Sequence, residues 1–437
     1  MNQTHFKTKK DTLFFKRWTR SGFGVFRSLN QQVAIATMVL ATSTFFAQCE
    51  LQAQVTNFNT DSIQELEEVV VSGEQEPVVF SKIARIVTVI TQKEIEAAPV
   101  NSINELLEYA LGLEIRQRGT QGVQADISMR GGTFDQTAIL LNGINLTDPQ
   151  TGHHSLNLPL DLNSIERIEI LSGPAALVFG VNAFSGAINI ITNQNSPAQI
   201  KISTSVGQFQ TIDQNAAITF AHNQFTHLLS TGHKQSNGYL ERDSINNTDF
   251  QSTHIFYHGK WQSTHQQIDL QAGASAKAFG ANSFYTPAYP EQYEATRTQF
   301  IALKYKTLHT KVNLKPTTFY RRHHDRFELF RNAAPDWYTT HNYHMTDVAG
   351  IQIPVLIKIP YGNILASISH RYEHIYSNKL GLPMAATRKV PGENAQFDKQ
   401  SERFHTGAQL AYTLDLEKIY VSGGVFVSHY SSIKKKI

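Results

Sequence analysis

The stretch that decides the fold is Ile165-Glu-Arg-Ile-Glu-Ile-Leu-Ser-Gly-Pro-Ala-Ala-Leu-Val-Phe-Gly-Val-Asn-Ala-Phe-Ser-Gly-Ala-Ile-Asn-Ile-Ile-Thr192. Ile168–Leu171 predicts a short strand, and Ser172-Gly-Pro174 predicts a turn, because glycine and proline interrupt regular structure. Pro174 fixes one backbone angle of that turn, and Gly180 permits another tight turn. The stretch therefore predicts a compact region of short strands joined by tight turns.

The surrounding residues, 78–194, predict a mixed α/β domain. Ser102-Ile-Asn-Glu105 has the pattern of a capping box, in which the serine oxygen and the glutamate carboxylate accept the free N–H groups of a helix start. The helix is expected to continue to Gly112. Asn142-Gly143 predicts a turn. Further short strands are predicted at Ile86–Ile90, Leu113–Ile115, Ile127–Gly132 and Ala138–Leu141.

From about residue 199 the pattern changes to alternation with period two, which indicates strands. In Gln267–Ala276 the apolar residues alternate with polar residues or glycine. In Ile364–Tyr376 one face carries isoleucines and tyrosines, interrupted by His370 and His374, and the opposite face is polar. This pattern fits a strand with one face toward lipid and one toward water. A soluble β-sandwich has the same alternation and remains the alternative.

The N-terminal residues 1–54 have the order of a secretory signal peptide. Seven lysines and arginines within the first 30 residues precede the apolar run Val33–Ala47, and small and polar residues follow. A buried core helix or an uncleaved anchor are the alternatives. The apolar run is shorter than the roughly 20 residues that span a bilayer as a helix, which excludes a multi-span helical membrane protein.

The composition excludes other classes. Charged residues make up 17% of the 437 residues, and the net charge of +3 predicts no nucleic-acid partner. A single cysteine, Cys49, excludes a disulfide scaffold and a cysteine-based zinc finger. No phosphate-binding loop or serine-nucleophile motif is present. We therefore expect neither an enzyme nor a bound cofactor.

A short β-prone run lies between the leader and the α/β domain, within residues 55–77. It is Glu68-Val-Val-Val-Ser72, which stands in an acidic, polar setting and lacks an evident strand partner nearby. Such a segment is suited to adding a strand to the sheet edge of another protein. The alternative is an ordinary first strand of the following domain.

In order along the chain, these residues resemble the plug domain of TonB-dependent outer-membrane receptors. Glu68–Ser72 looks like the TonB box of that family. Ile127-Ser-Met-Arg-Gly131 resembles its strand before an Arg-Gly turn, and Leu140-Leu-Asn-Gly143 resembles its apolar pair before a turn. Ile165–Thr192 is the most specific match. The resemblance covers about residues 65–194, and the later strands support it by architecture only.

The resemblance implies an α+β plug domain followed by antiparallel strands of a transmembrane β-barrel. Its domains would be a signal peptide (1–54), a linker with the TonB box (55–77), the plug (78–194) and barrel strands (195–437). The TonB-binding residues would be Glu68, Val69, Val70, Val71 and Ser72. Residues with structural roles in the plug would be Arg130, Gly131, Asn142, Gly143, Glu166, Arg167, Gly173, Pro174, Gly180 and Gly186. We expect Arg130, Glu166, Arg167 and Glu169 to offer charge pairs to the barrel wall.

The implied function is uptake of a scarce nutrient, such as a ferric siderophore or cobalamin, across the Gram-negative outer membrane. The implied partners are TonB of the inner-membrane energising complex, a small-molecule ligand (metal chelate or cobalamin) and outer-membrane lipid. A non-transporting surface receptor or adhesin that retains the plug is the alternative. Candidates for ligand contact lie in the apical plug loops and in an aromatic barrel loop: Gln117, Arg118, His153, His154, Phe284, Tyr285 and Tyr289.

One histidine motif resembles a metal site but does not fit the predicted strand. His370-Arg-Tyr-Glu-His374 matches the H-x-x-E-H pattern of some zinc proteases, which requires a helix. On the predicted strand the two histidines are about 13 Å apart, too far to bind one ion. The alternative interpretation, a secreted zinc hydrolase, is supported by this motif alone. His153 and His154 are expected to point in opposite directions on an extended chain, and we predict no metal site.

The length raises a further expectation. A plugged transporter barrel has 22 strands, which need about 450 to 550 residues. About ten or eleven candidate strands follow residue 199. We therefore expect a truncated product that contains about half of the barrel.

Overall fold

The computed structural model describes residues 70–71, 78–79, 86–119, 123–173, 182–194, 198–240, 247–308, 311–416 and 419–431. The chain divides into two units: Glu68–Ala386 with Phe397–Ile437, and a second unit whose described part is Thr387–Gln396. In Thr387–Gln396 the Val390 N–H donates to the Ala395 carbonyl (2.9 Å) and closes a turn. The architecture below is that of the first unit.

The N-terminal part contains nine short strands and two short helices in its described residues. A first pair, β1 (Val70–Val71) and β2 (Val78–Val79), is antiparallel. The remaining elements are β3 (Ile86–Thr91), α1 (Gln92–Ala97), α2 (Ile103–Leu107), β4 (Leu113–Arg118), β5 (Gln124–Met129), β6 (Thr137–Leu141), β7 (Ile144–Asn145), β8 (Ile165–Ser172) and β9 (Gly186–Thr192). Single 3₁₀ turns lie at Phe134–Gln136, Gly152–His154 and Leu162–Ser164.

The core of this part is a five-stranded sheet in the order β3-β8-β9-β6-β7. Only β6 and β9 run parallel; β4 and β5 form a separate antiparallel pair. The buried side chains of Leu106, Ile139 and Ile168 pack in one apolar cluster, and that cluster continues into Phe256 and Phe300 of the second part. Apolar burial, the main favourable term in folding, therefore joins the two parts.

The local predictions hold with four corrections. Ser102 caps α2 by accepting the Glu105 N–H (3.2 Å), but the Glu105 carboxylate accepts from the Asn101 N–H instead of closing the predicted capping box. The helix itself ends at Leu107. The strand predicted at 127–132 ends at Met129, because Arg130 and Gly131 both have positive φ (51° and 77°) and turn the chain. The strand expected to lack a local partner is paired: β1 pairs with β2.

The C-terminal part is one antiparallel sheet of 13 strands in the described residues, here called the wall sheet. Its strands are β10 (Gln199–Gly207), β11 (Thr211–His222), β12 (Phe225–Ser236), β13 (Phe250–Gln262), β14 (Gln266–Gly280), β15 (Tyr293–Thr307), β16 (Val312–Leu314), β17 (Thr317–Glu328), β18 (Asn342–Ile359), β19 (Gly362–Ser377), β20 (Leu382–Lys389), β21 (Gln396–Leu416) and β22 (Ile419–Tyr430).

The wall sheet has thirteen strands instead of the expected ten or eleven, and one of the additional strands has a physical reason. β16 and β17 both pair with β18, and they are separated only by Lys315 and Pro316. Proline lacks the N–H that a ladder requires, so one long strand is divided in two. Within the described residues, neighbouring strands pair from β10 to β22 and no pairing links β10 back to β22, so the barrel is not closed.

The two faces of the wall sheet differ as the alternation predicts. On β14, Ile268 and Leu270 are exposed, whereas Asp269 and Gln271 between them are buried. On β19, Ile368 is 63% exposed and Glu373 is buried. The apolar face points outward and the polar face lies against the N-terminal part. No helix among the described residues has both the length and the apolar character needed to cross a membrane.

Candidate functional site

The wall sheet has two distinct ends. Long connections at 237–249, 281–292 and 329–341 alternate with short turns at 223–224, 263–265 and 360–361. We call the first the long-loop end. The apical turns of the N-terminal part lie against the strands near this end, because Gly152–His154 and β5 contact residues of β15, β17 and loop 281–292.

Five side chains, here called the apical cluster, meet at the long-loop end: Arg118, Asp126, His153, Tyr285 and Glu294. Arg118 Nη2 donates to Asp126 Oδ2 (2.9 Å), and His153 Nδ1 bonds Asp126 Oδ1. The Arg118 guanidinium lies over the Tyr285 ring, 5.3 Å from its centroid. The Tyr285 hydroxyl donates to Glu294 Oε2 (2.6 Å). The cluster combines a cation, an aromatic face and two carboxylates.

The charges of the apical cluster are set by their neighbours. Burial raises the pKa of Asp126, but the hydrogen bonds from His153 and Arg118 outweigh burial, so its pKa lies below the ordinary value. Burial and the adjacent Glu294 carboxylate raise the pKa of Tyr285 well above its usual range. Asp126 is therefore ionised and Tyr285 is a neutral donor at physiological pH.

A second feature is a short segment, residues 142–150, that contacts five wall strands. Asn142 Nδ2 donates to Gln271 on β14 (3.0 Å), and its carbonyl accepts from Lys304 on β15 (2.6 Å). The other contacts are Asp148 Oδ2 with Arg321 on β17 (2.6 Å), Gln150 Oε1 with Thr346 on β18 (3.2 Å), and the Thr147 carbonyl with Arg371 on β19 (3.1 Å). The segment fastens the N-terminal part across the polar face of the wall.

The Asp148–Arg321 pair is the most buried of these contacts, with side-chain exposures of 0% and 4%. Burial alone would raise the pKa of Asp148, but the charges of Arg321, His323 and His154 hold it well below its usual range. Arg321 belongs to a basic run at residues 321–326. Its guanidinium is already paired with Asp148.

The structure brings together most of the predicted ligand candidates. Arg118, His153 and Tyr285 belong to the apical cluster; Phe284 joins it because its carbonyl accepts from Arg118 Nη1 (2.8 Å). His154 lies beside it, 3.6 Å from Glu294. Two candidates lie apart. Gln117 is hydrogen-bonded to Glu108 (2.7 Å) on an exposed surface, and the Tyr289 ring packs on Phe330.

His153 and His154 occupy a 3₁₀ turn rather than an extended chain, but they do reach different partners. Among the described residues, one group has the donor atoms to hold a metal ion: His154, His323 and Asp325. The sequence motifs do not single out this group, and the prediction of no metal site stays a prediction. His154 lies 169 positions before His323, so no local spacing signals the group.

The predicted plug residues have mainly internal roles. Asn142 and Gly143 both have positive φ (51° and 80°), which is the backbone of a tight hairpin turn between β6 and β7. Arg167 pairs with Glu166 and Glu169 inside the N-terminal part. The Glu166 carboxylate also interacts electrostatically with Lys260 on β13 of the wall sheet. Asp148 supplies a more deeply buried ion pair to the wall.

Other predicted positions are glycines or lie outside the described residues. Gly186 has a φ of 156°, and a Cβ there would lie 2.0 Å from Met129 Sδ. Gly173 also has positive φ (92°). Pro174, Gly180, Glu68, Val69, Ser72, and the signal segment 1–54 lie outside the described residues. Val70 and Val71 form β1.

The protease-like motif lies on a strand, as predicted. His370 and His374 belong to β19, where His370 bonds Thr406 Oγ1 (2.9 Å) and His374 bonds Gln400 (3.1 Å). They share one face of a strand, and their partners lie on β21. This arrangement is not the helical pair of a zinc protease.

Comparison with known proteins assigns the N-terminal part. A family model described as the TonB-dependent receptor plug domain matches residues 80–187. Residues 80–187 thus match the plug domain of the TonB-dependent receptors. The vitamin B12 transporter BtuB of Vibrio vulnificus (strain CMCP6) is 27% identical over 153 residues, and BtuB of Vibrio cholerae (strain M66-2) is 31% identical over 153 residues. Each match covers 35% of this chain and 25% of the relative.

Solved TonB-dependent receptors share the fold over most of the chain. The unliganded ferric citrate transporter FecA superposes with a TM-score of 0.62 at 13% identity, over 80% of this chain and 56% of FecA. FpvA of P. aeruginosa, bound to an iron–pyoverdine, gives 0.63 at 10% identity, over 82% and 55%. The chain thus spans just over half the length of these receptors. These are transport and receptor proteins, not enzymes; the expected truncation stays a prediction.

Proposed function

We propose that this chain acts in the outer membrane of a Gram-negative cell as a receptor for uptake of a scarce nutrient, driven through TonB. The single observation that carries the proposal is the plug domain fastened across the polar face of the wall sheet by residues 142–150. A bulky solute can move along the polar face of the wall sheet only after the plug is displaced. Uptake therefore includes a step in which mechanical work displaces the plug.

The wall sheet supports the membrane location. Its outward face carries isoleucine, leucine and valine on β13 to β22, and its inward face carries the ion pairs and amides. A barrel strand in lipid has this division, with apolar residues outward and polar residues inward. For the whole chain we propose four domains, which are a signal peptide (1–54), a TonB-box linker (55–77), the plug (78–194) and the barrel strands (195–437).

For the ligand we propose a metal chelate or cobalamin bound at the long-loop end. The apical cluster supports this choice because it offers a guanidinium, an aromatic ring and a histidine beside each other. The BtuB relatives are named for vitamin B12, and FecA for ferric citrate. Both are bulky complexes that require several polar and aromatic contacts.

For the energising partner we propose that Glu68, Val69, Val70, Val71 and Ser72 bind TonB by strand addition. Main-chain hydrogen bonds in such a pairing lie in a row and bear load along the strand. The local pair β1–β2 involves only two residues on each side. A pairing this short is easily exchanged for a longer one with a partner chain.

The test uses Val70→Pro, with Val70→Ile as the matched control. Proline removes a strand N–H, whereas isoleucine keeps both the N–H and the strand preference. In a strain that lacks its own receptor, we expect Val70→Pro to abolish uptake of radiolabelled cobalamin or ferric chelate while cell-surface binding stays normal. Normal uptake by the proline variant would contradict the TonB-box assignment.

A second candidate function is a surface receptor that binds without transport. The same assay separates the two. Ligand binding without uptake in the unmodified chain supports the second function; uptake that depends on TonB supports the first.

A further inference from the structure

A buried group of histidine and carboxylate side chains joins the plug to the wall, beside the apical cluster. His154 comes from the 3₁₀ turn of the plug, and His323 and Asp325 come from β17. Residues two apart on a strand share a face, so the two β17 side chains point together into the interior. One nitrogen or oxygen of each residue lies within 4.8 Å of those of the other two.

The hydrogen bonds of this group are incomplete. All three residues are buried, with His323 at 0% exposure. His323 Nε2 and Asp325 Oδ1 are buried without a hydrogen-bond partner among the described residues, and so is Oε1 of the adjacent Glu294. Buried polar atoms are nearly always paired. Three unpaired atoms in one place, one imidazole nitrogen and two carboxylate oxygens, indicate a missing positively charged ligand.

We propose that His154, His323 and Asp325 bind a divalent transition-metal ion, for which Zn²⁺ is the best fit, with Glu294 as the fourth donor. Imidazole nitrogen and carboxylate oxygen are the donors that Zn²⁺ accepts, and two carboxylates balance its charge. The absence of a thiolate or thioether from the described donor set disfavours Cu⁺. The site bridges the plug and the wall.

The surroundings suit this role. His323 Nδ1 lies 2.8 Å from Thr298 Oγ1, and an Nδ1–H donated to that hydroxyl leaves the Nε2 lone pair free for a metal. Glu294 Oε1 is 3.6 Å from His154 Nδ1, and its second oxygen is held by Tyr285. Tetrahedral zinc ligands lie about 3.4 Å from one another, so closing the group requires side-chain movements of about 1 Å.

Competing charges also face the group. His344 Nε2 lies 4.0 Å from Asp325 Oδ2, and Arg321 reaches the neighbouring Asp148. Arg321 is neutralised by Asp148, so it does not cancel the Asp325 and Glu294 carboxylates. The His344 contact is long enough for a metal ion to displace it.

The site is near the long-loop end. His323 and Asp325 are five and three residues before the end of β17, and Glu294 is the second residue of β15. An ion entering between the long loops therefore has a short path to it. Bound there, it holds the His154 turn of the plug against β17.

The experiment uses the full chain, purified from membranes in detergent and stripped with a chelator. Zn²⁺ alone is the probe, and calorimetry with elemental analysis measures the binding. We expect one Zn²⁺ per chain, and a loss of at least tenfold in affinity for His323→Gln and for Asp325→Asn. His265→Gln and His222→Gln are the controls, since both residues are exposed, His265 in a short turn and His222 at the end of β11. We expect both variants to bind as the unmodified chain does.

Two further measurements guard against a folding artefact. His154→Gln alters only the plug turn, and we expect it to lose Zn²⁺ affinity while β-sheet circular dichroism is unchanged. Zn²⁺ is expected to raise the melting temperature of the unmodified chain but not that of His323→Gln. Absence of stoichiometric Zn²⁺ binding, or equal binding by the site variants and the controls, overturns the proposal. Because Val70→Pro is expected to bind Zn²⁺ normally, the result is independent of transport.

Discussion

Neutralising Asp148 is expected to detach the apical plug segment from the wall. Asp148 and Arg321 form an ion pair of 2.6 Å, with side-chain exposures of 0% and 4%. The other Asp148 oxygen accepts from the Gln150 N–H (2.8 Å). Asp148→Asn keeps that acceptor and the side-chain shape, so its effect isolates the lost charge opposite Arg321.

The magnitude follows from the burial of the pair. Removing one partner of a buried ion pair leaves the other charge without compensation, which costs about 3–5 kcal/mol. The pKa of Asp148 lies below its ordinary value of 3.8. Its contribution to stability is therefore complete above about pH 4 and is lost only as the pH falls through the lower folded value. A measurement at pH 7 records the whole effect.

Hydrogen exchange measures this change locally. A loss of 3–5 kcal/mol at about 1.4 kcal/mol per tenfold raises the opening equilibrium of residues 144–152 by roughly 10²- to 10⁴-fold. Mass spectrometry of peptides from this segment reports the exchange rate directly. Peptides from β8 and β9 are expected to change little, because neither strand contains Asp148 or neighbours β7 in the sheet.

Two control variants test whether the effect comes from the unpaired charge of Arg321. Asp135→Asn perturbs a carboxylate that only accepts the Gly152 N–H (3.0 Å), and we expect less than about 1.5 kcal/mol there. The double variant Asp148→Asn, Arg321→Met removes both charges and is expected to recover most of the loss. A change of less than tenfold in Asp148→Asn would refute the argument that this pair holds the segment.

Three other outcomes are expected. Gly186→Ala places a Cβ 2.0 Å from Met129 Sδ and is expected to destabilise the plug by about 1–3 kcal/mol, measured by urea unfolding. The control Gly131→Asn is expected to be nearly neutral, because a Cβ there has open space and asparagine tolerates a positive φ. Tyr285→Phe removes the donor to the buried Glu294 carboxylate and is expected to cost about 1–3 kcal/mol, seen as a lower melting temperature. Burial lowers the pKa of His341 to about 4, so the unfolded chain binds a proton near pH 6.5 that the folded chain binds only near pH 4. The free energy of unfolding therefore falls as the pH falls across this interval. His341→Gln is expected to lose less stability than the unmodified chain between pH 7.5 and 5.

The elements of the plug were largely predictable because their signals are local. The strand patterns at residues 86–90 and 168–171, the Asn142-Gly143 turn and the Ser102 cap depend on neighbours within a few positions, and all are present. The Arg130 turn was misjudged as strand because a non-glycine residue rarely adopts positive φ. The first capping residue of α1, Thr91, was missed although Glu94 stands at the required spacing.

The candidate sites were only partly predictable, since they form between distant strands. Alternation correctly gave the exposed face of β14 and the polar face of β19. It gave no means to decide which wall residue meets which plug residue. Asp148 and Arg321 are 173 positions apart, and nothing near either one indicates the other. The charge pairs expected at Arg167 were plausible by composition, yet its carboxylate partners lie within the same domain.

The segment at residues 142–150 has a consequence for assembly. Its contacts select one side chain on each of β14, β15, β17 and β19: Gln271, Lys304, Arg321 and Arg371. A slip of one residue in any of these strands would turn that side chain outward and present an outward-facing neighbour, such as Leu270 or Leu303, to the polar segment. The plug is thus a template that discriminates against misaligned strands. A wall sheet formed without it would lose this check and accumulate off-register pairings.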